Sequence, residues 1–292
     1  MISKQEIIKI RKIPTHIYQL GSTSRSNRSI IIIPGNPGLG GFYIPFAHEL
    51  YNYFNEEICI LVISQAGHSP PIDYCFSLQE QIEHKLAAIE QLLPNNPNHR
   101  LILIGHSIGA YMVLKMLERL ENRLDRAFLL FPTIERMRES SAGQRFVRFY
   151  PIYIYLLPFL CLLVQFLFPF ESIKRKLINW FFASSPDEDR SILVDTVLYD
   201  LLNPRTVRNL LQMAREEMFV VDKRDDQLIK SFLSKLTFYY GTNDHWVPND
   251  IAKQMINLYP QADITECTNK YLHAFVLKHS KELARFVFHR ID

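Results

Sequence analysis

The sequence predicts an α/β fold: a mostly parallel, doubly wound sheet interrupted by a long helical insertion that is strongly apolar. Three features point this way. Buried-strand runs alternate with amphipathic helices between residues 29 and 132, the alternation stops after Pro132 and resumes at Lys235, and the intervening chain has no charged side chain from 149 to 170. Strand–helix alternation implies parallel strands joined by right-handed crossovers, with helices on both faces of the sheet. A chain of 292 residues is long enough for one large domain of this kind or a smaller one with an insertion.

Residues 29–35, SIIIIPG, form a β-branched run stopped by Pro34-Gly35, and 58–64, ICILVIS, form a second run; both read as central strands. Between them FYIPFAHELYNYF spaces its apolar residues as a helix does. A turn-rich segment, Gln65-Ala66-Gly67-His68-Ser69-Pro70-Pro71, leads to SLQEQIEHKLAAIEQLLP, an amphipathic helix starting at Ser77 or Leu78 and closed by Pro94. A strand at 100–105, a helix at 108–122 and the strand RAFLLFP at 126–132 follow. After the insertion come the strand KLTFYYG at 235–241, a helix from about 248 to 259, a strand at 262–267, a loop, and a closing helix ending near Arg290. The expected organisation is a core of residues 1–132 and 235–292 with a helical cap, 133–234, between them.

Leu101–Ala110, LILIGHSIGA, is the most informative stretch. An apolar strand ends abruptly in Gly-x-Ser-x-Gly and leads into a helix. This is the pattern of a strained strand-to-helix turn that lifts a serine hydroxyl above the sheet. Gly105 and Gly109 suit it because a Cβ at either position would collide with neighbouring backbone. Ser107 is the nucleophile candidate.

The insertion carries FYPIYIYLLPFLCLLVQFLFPF, in which Gln165 is the one strongly polar residue. As a continuous helix it would approach the hydrocarbon thickness of a bilayer, about 30 Å. Pro158, near its middle, removes a backbone hydrogen bond and is expected to bend it. Arg136, Arg138, Arg145 and Arg148 precede the run and Lys174, Arg175 and Lys176 follow it, so both ends are suited to one anionic, lipid-facing side. A half-inserted hairpin on a lipid surface fits this composition; a lid helix pair packed on the core is the alternative.

Composition narrows the class. Hydrophobic residues make up 48% and charged residues 22%, a globular balance, and a scattered net charge of +3 with no basic arm argues against a nucleic-acid partner. Cys59, Cys75, Cys161 and Cys267 lie far apart, which suggests neither a zinc site nor a disulfide framework and fits a reducing, cytosol-facing compartment. The opening MISKQEIIKIRKIP mixes charges into its apolar positions and lacks the apolar core of a signal peptide.

A serine hydroxyl needs a base to take its proton, and the base needs a partner to fix its tautomer. In elbow architectures the chain order is Ser, then Asp or Glu, then His. Asp244, in the loop after KLTFYYG, and His273, in the loop after the last strand, fit that order. Asp250 and Glu135 compete for the acid; Asp250 reads as a first-turn helix residue. Among the histidines, His245 is too near the acid in sequence, His279 and His289 read as part of the last helix, and His106 reads as a hydrogen-bonded structural residue. Two backbone N–H donors must face the developing oxyanion. Ile108, first in the helix after the elbow, supplies one. Asn36 is the candidate for the other, because Pro37 has no N–H and Gly35 and Gly38 let backbone come close.

The blocks IIIIPGNPG, EQIEHKL at 80–86, LILIGHSIGAY, RAFLLFPTIERM at 126–137, KRDD at 223–226, KLTFYYGTNDHW and LHAF together resemble the lipid droplet-associated hydrolases of the α/β-hydrolase superfamily, over most of the chain. The resemblance implies an α/β-hydrolase fold and a triad on Ser107, Asp244 and His273. It also implies residence on the endoplasmic reticulum and lipid droplets, weak esterase activity including towards sterol esters, and a part in neutral-lipid storage. The resulting expectation is a serine ester hydrolase with a lipid ester as substrate, a droplet or endoplasmic-reticulum membrane as its surface, and no metal or organic cofactor. The alternatives are a droplet surface protein with marginal catalysis and an acyl thioesterase or transacylase.

Overall fold

A computed structural model describes residues 4–291. Its sheet has eight strands: β1 (Lys4–Ile10), β2 (Ile13–Leu20), β3 (Arg28–Ile33), β4 (Cys59–Ile63), β5 (Arg100–His106), β6 (Leu124–Leu130), β7 (Leu236–Gly241) and β8 (Asp263–Cys267), in the order β1-β2-β4-β3-β5-β6-β7-β8. From β4 to β8 every pairing is parallel, and β1 and β2 join antiparallel at one edge. These two edge strands are absent from the sequence reading. Of the opening segment MISKQEIIKIRKIP, the first three residues lie outside the described range.

Alternation along the central strands explains the two-layer cover. Ile31 and Ile33 of β3, Leu101 and Leu103 of β5 and Leu129 of β6 enter one apolar layer. Their neighbours Ile30, Ile32, Ile102, Ile104 and Phe128 enter the other. Both faces are therefore buried, and the strands read as continuous apolar runs rather than alternating ones. The first layer is closed by α2 (Leu78–Leu92) and α3 (Ile108–Leu120), the second by α1 (Ile44–Tyr53) and α10 (Ser280–Phe288), which pack on each other. Ser77 caps α2 in a reciprocal box: its hydroxyl accepts from the Glu80 N–H while the Glu80 carboxylate accepts from the Ser77 N–H. β3 lies between β4 and β5, so the chain reverses its direction of progress across the sheet at β3/β5, where ligands of open α/β sheets gather.

Between β6 and β7 the chain forms α4 (Ser141–Leu167), α5 (Glu171–Phe181), α6 (Asp187–Asp195), a π-helical turn at Thr196–Leu201, α7 (Pro204–Val220) and α8 (Asp226–Phe232); α8 lies against α3. Helix α4 is one continuous helix of 27 residues that includes both Pro151 and Pro158, so the chain does not turn back at Pro158 as the expected hairpin would. Each proline forfeits one backbone bond, while the side chains on one face, Phe146, Tyr150, Tyr153, Ile154, Leu157 and Cys161, pack on the core beside α7. The opposite face is bare: Tyr155 is 78% and Phe166 80% exposed. Among the described residues α4 is the one helix long and apolar enough to cross a membrane.

Helix α7 is fastened to the 65–72 loop by buried side chains. Thr206 Oγ1 donates to the His68 carbonyl (2.9 Å), and Asn209 Nδ2 donates to the carbonyls of Gly67 (2.7 Å) and Ile72 (3.0 Å).

A glycine at the start of α3 holds this arrangement together. A Cβ on Gly109 would press into the carbonyl of Ile33 and lie 3.0 Å from that of Pro34, which are backbone atoms unable to swing aside. The Gly109→Ala variant is expected to lose about 1–3 kcal/mol of stability by overpacking, read as a lower urea midpoint at an unchanged m-value.

Candidate active site

β5 ends at His106, and the chain turns at once into α3. Ser107 takes the turn with φ 54° and ψ −122°, a left-handed backbone that a side chain rarely adopts. Such a conformation costs about 1–3 kcal/mol and persists only where its surroundings over-determine it. They do so here. The Ser107 N–H donates to the Leu130 carbonyl (3.0 Å), and the Ser107 carbonyl accepts from the Ala110 N–H (2.9 Å). A Cβ on Gly105 would come within 2.6 Å of the Ala110 Cα, and one on Gly35 within 2.8 Å of the Ser107 Cβ. The tight packing of these glycines presses the elbow against the loop after β3.

The loops after β7 and β8 bring Asp244 and His273 to the same place. His273 Nδ1–H donates to Asp244 Oδ2 at 2.6 Å, and Ser107 O–H donates to His273 Nε2 at 2.8 Å. The roles are fixed because a carboxylate can only accept, which leaves Nε2 as the acceptor for the hydroxyl. Asp244 is 4% exposed, and its other oxygen, Oδ1, accepts from the N–H groups of Trp246 (2.8 Å) and Val247 (3.3 Å). Three donors thus offset the desolvation of this buried carboxylate.

His106 is buried, as expected of a structural histidine, and sits in a continuous chain of donors. Gly35 N–H donates to Tyr43 Oη (2.7 Å), Tyr43 O–H to His106 Nδ1 (2.6 Å), and His106 Nε2–H to the His273 carbonyl (2.8 Å). Burial, with a smaller contribution from His273, pushes its pKa down to about 3, so the ring stays neutral and the chain keeps one polarity. The loop carrying Asn36 is therefore tied to the loop carrying His273 through the residue that precedes Ser107. From the other side Gln65 Nε2 donates to the Pro34 carbonyl (2.8 Å) and His68 Nδ1–H to that of Pro37 (2.8 Å).

Ser107 and His273 face a cavity of about 420 Å³ whose walls include Asn36, Trp246, Met137, Leu210 and Glu217. Ile108 opens α3, so its N–H has no carbonyl one turn earlier to bond. Asn36 lies on the cavity wall, its Nδ2 donating to the Leu210 carbonyl (2.9 Å) and to Glu217 Oε1 (3.1 Å).

The competing residues are engaged elsewhere. Asp250 sits in the first turn of α9 (Asn249–Leu258) and is paired with Arg136 (2.7 Å); Glu135 is paired with Arg224 (2.5 Å). His245 is exposed, and its carbonyl accepts from the Ala142 N–H at the start of α4. His279 and His289 flank α10 rather than lying within it, with His279 stacked on Tyr271.

Comparison with known proteins fits this geometry. The model of the family described as lipid-droplet associated hydrolase matches residues 26–276. The chain is 36% identical to the lipid droplet-associated hydrolase of Mus musculus over 296 residues, covering 94% of this chain and 87% of the relative. The lipid droplet-associated hydrolase of Drosophila melanogaster is 34% identical, with 97% and 96% covered. The chain belongs to the lipid-droplet associated hydrolase family. Solved structures agree on the fold. An α/β hydrolase fold protein from Burkholderia ambifaria superposes with a TM-score of 0.64 at 11% identity, over 99% of this chain and 98% of that one. The haloalkane dehalogenase DatA of Agrobacterium tumefaciens C58 gives 0.69 at 15% identity, over 99% and 97%. The fold is that of the α/β hydrolases.

In this member of the lipid-droplet associated hydrolase family, Glu217 is the site-wall residue that sequence reasoning missed. It is 1% exposed, and burial pushes its pKa up to about 8, against the partial relief of the Asn36 hydrogen bond. The signal was available: Val207, Leu210, Ala214 and Glu217 share one face of α7 at helical spacing. An unfolded glutamate loses its proton near the ordinary value of 4.5, whereas Glu217 in the folded chain keeps its proton to about 8. Between those values the unfolded state binds fewer protons, so stability falls as pH rises, by at most about 1.4 kcal/mol per pH unit for a single group. Urea unfolding at pH 5, 6, 7 and 8 is expected to show Glu217→Gln gaining on the wild type at each step upward. Parallel pH profiles for the two proteins would show that Glu217 ionises normally.

Proposed function

We propose that this chain is a serine ester hydrolase acting on lipid esters, sterol esters among them, at the cytosol-facing surface of lipid droplets and the endoplasmic reticulum, in neutral-lipid homeostasis. The observation that carries the reading is the hydrogen-bonded series Asp244–His273–Ser107 opening into a largely apolar cavity. Membership of a family whose curated relatives are named lipid droplet-associated hydrolases supports both the class of reaction and the place.

In this mechanism the Ser107 Oγ–carbonyl bond forms as the hydroxyl proton passes to His273 Nε2. Asp244 holds the ring in the required tautomer and stabilises the imidazolium. The N–H groups of Ile108 and Asn36 receive the oxyanion, the kind of preorganised donor pair that lowers such barriers most. His273 returns the proton to the departing alkoxide as the ester C–O bond breaks. Water, deprotonated by the same nitrogen, then releases the acid and restores the hydroxyl. No metal or organic cofactor enters these steps.

Residues 133–234 act as a cap on a core of 1–132 and 235–292, and the 149–170 segment faces lipid. Support comes from the bare apolar face of α4, from Trp180 and Phe181 of α5, which are 80% and 72% exposed, and from the exposed Arg145 and Arg148 at one end and Lys176 at the other. Contiguous apolar surface of this kind on a soluble protein marks an interaction site. The same face supports a second reading, a droplet surface protein for which catalysis is incidental, since the face includes none of the three site residues.

Labelling the purified protein with a fluorophosphonate serine probe is expected to mark the wild type, to vanish in Ser107→Ala, and to slow by about 10³-fold or more in His273→Ala. A wild type that stays unlabelled sinks the hydrolase reading. Expression of Ser107→Ala in droplet-bearing cells tests the second reading: the variant is expected to remain on droplets while the wild type's effect on stored ester disappears. An undiminished effect favours the surface role.

A further inference from the structure

A second cavity, of about 330 Å³, adjoins the first, between α5, the π-helical turn at Thr196–Leu201 and the turns at Gly40–Tyr43 and Phe275–Leu277. Phe42, Ile178, Phe182, Val197, Val276 and Leu277 form most of its wall. It meets the Ser107 cavity along a shared wall that includes Asn36, Pro37, His106 and Ala274.

Two of its polar side chains, Tyr43 and His106, are already used, and the unpartnered Asn36 Oδ1 belongs to the wall shared with the first cavity. Tyr43 Oη accepts from Gly35 and donates to His106, and the second nitrogen of His106 donates to the His273 carbonyl. A buried water needs two to four polar partners, and one unpartnered amide oxygen at the edge of an otherwise apolar wall falls short of that, so hydrocarbon is the content it suits. Its volume is about twice the ~150 Å³ in which a buried apolar cavity holds one benzene, which leaves room for on the order of a dozen carbons. One wall residue, Phe181, is 72% exposed, and its neighbours Leu177 and Trp180 are 51% and 80% exposed, so the cavity borders the most exposed apolar part of α5.

We propose that this second cavity is the acyl-chain subsite of the enzyme, filled by one fatty-acyl chain that enters beside α5. The assignment rests on the serine-hydrolase reading given above. Direction follows from the chemistry. The alcohol must leave on the His273 side, where the ring delivers its proton, and the His273 ring borders the first cavity beside Trp246 (ring centroids 6.4 Å apart). The acyl group stays on Ser107 with its oxygen toward Asn36, and Asn36 stands on the wall shared by the two cavities.

The test compares two ester series. In one, p-nitrophenol is the constant leaving group and the acyl chain grows from two to sixteen carbons; in the other, acetate is constant and the alkyl alcohol grows. Wild-type kcat/KM is expected to rise with acyl length to about twelve carbons. Ile178→Trp, which fills the cavity from the cap side, is expected to lower kcat/KM for dodecanoyl esters at least 10-fold, in the range set by pocket methylenes. It should leave p-nitrophenyl acetate and the long-chain alkyl acetates within about 2-fold of the wild type. Ile178→Ala, which enlarges the cavity, should move the optimum to longer chains. Loss on the alkyl-acetate series instead, or no change on either, overturns the assignment. Fluorophosphonate labelling, run alongside, separates the failures. Labelled proteins with unmoved acyl profiles sink the subsite alone, whereas an unlabelled wild type sinks the hydrolase reading and the subsite with it.

Discussion

Everything at the site depends on one strained residue. Ser107 occupies a left-handed conformation at the end of β5, and its backbone N–H and carbonyl are both held by backbone groups. What holds it is backbone pressed on backbone. Gly105, Gly109 and Gly35 lie too close to their neighbours to carry a Cβ, and the Ser107 peptide is bonded on both sides, to Leu130 and to Ala110. β5 is flanked by β3 and β6, both parallel to it, so the strained turn ends a strand that is bonded along both edges. A turn of the same shape at a sheet edge would have fewer constraints to oppose relaxation.

Around this turn the polar groups form a closed circuit. The loop after β3 is bonded to the 65–69 loop through Gln65 and His68, the 65–72 loop is bonded to α7 through Thr206 and Asn209, and α7 returns to Asn36 through the Leu210 carbonyl and Glu217. Across the elbow, Tyr43 and His106 connect the same loop to the backbone of His273. Buried networks of this kind fix geometry when every member is satisfied. Satisfaction is incomplete at two amide oxygens, Asn36 Oδ1 and Gln65 Oε1, which have no partner, and the Glu217 carboxyl carries its proton well above the ordinary range because charge there would be unsolvated. Through Glu217 the seam between the inserted helices and the sheet responds to pH.

The parts of the molecule legible in sequence were those where local chemistry and global placement agree. Apolar β-branched runs gave the central strands within a residue or two, Ser77 and Glu80 marked the start of α2, and the Gly-x-Ser-x-Gly turn with an acid and a histidine after the last two strands led to three residues that meet in space. The edge hairpin was missed because its two-residue turn is Arg11-Lys12, at φ 45° and 73°, where glycine or asparagine would have announced a reversal. The hairpin expected around Pro158 is absent for the opposite reason. Pro158 is a strong local helix breaker, but tertiary packing of the Phe146–Cys161 face beside α7 outweighs the lost backbone bond. Helical spacing places Glu217 on the apolar face of α7, but that this face lines the Ser107 cavity is a tertiary relation.

From Phe149 onward helix α4 is almost wholly apolar, and a helix of that kind belongs inside a large core or in lipid. Here half of it meets the first condition, since the Phe146–Cys161 face is packed. The other face, with Ile152, Tyr155, Phe159, Leu162 and Phe166, and the outer side of α5 present large aromatic and aliphatic side chains to the surface. The question the sequence left between insertion and packing therefore has a two-sided answer: the inner face packs, and the outer face is available to a lipid surface under the function proposed above. The apolar wall of the second cavity and the bare face then share α5, with Ile178 and Phe182 turned inward and Trp180 and Leu177 outward. A substrate whose chains are soluble only in lipid would cross one helix to reach Ser107, exchanging one apolar environment for another without passing its hydrocarbon through water.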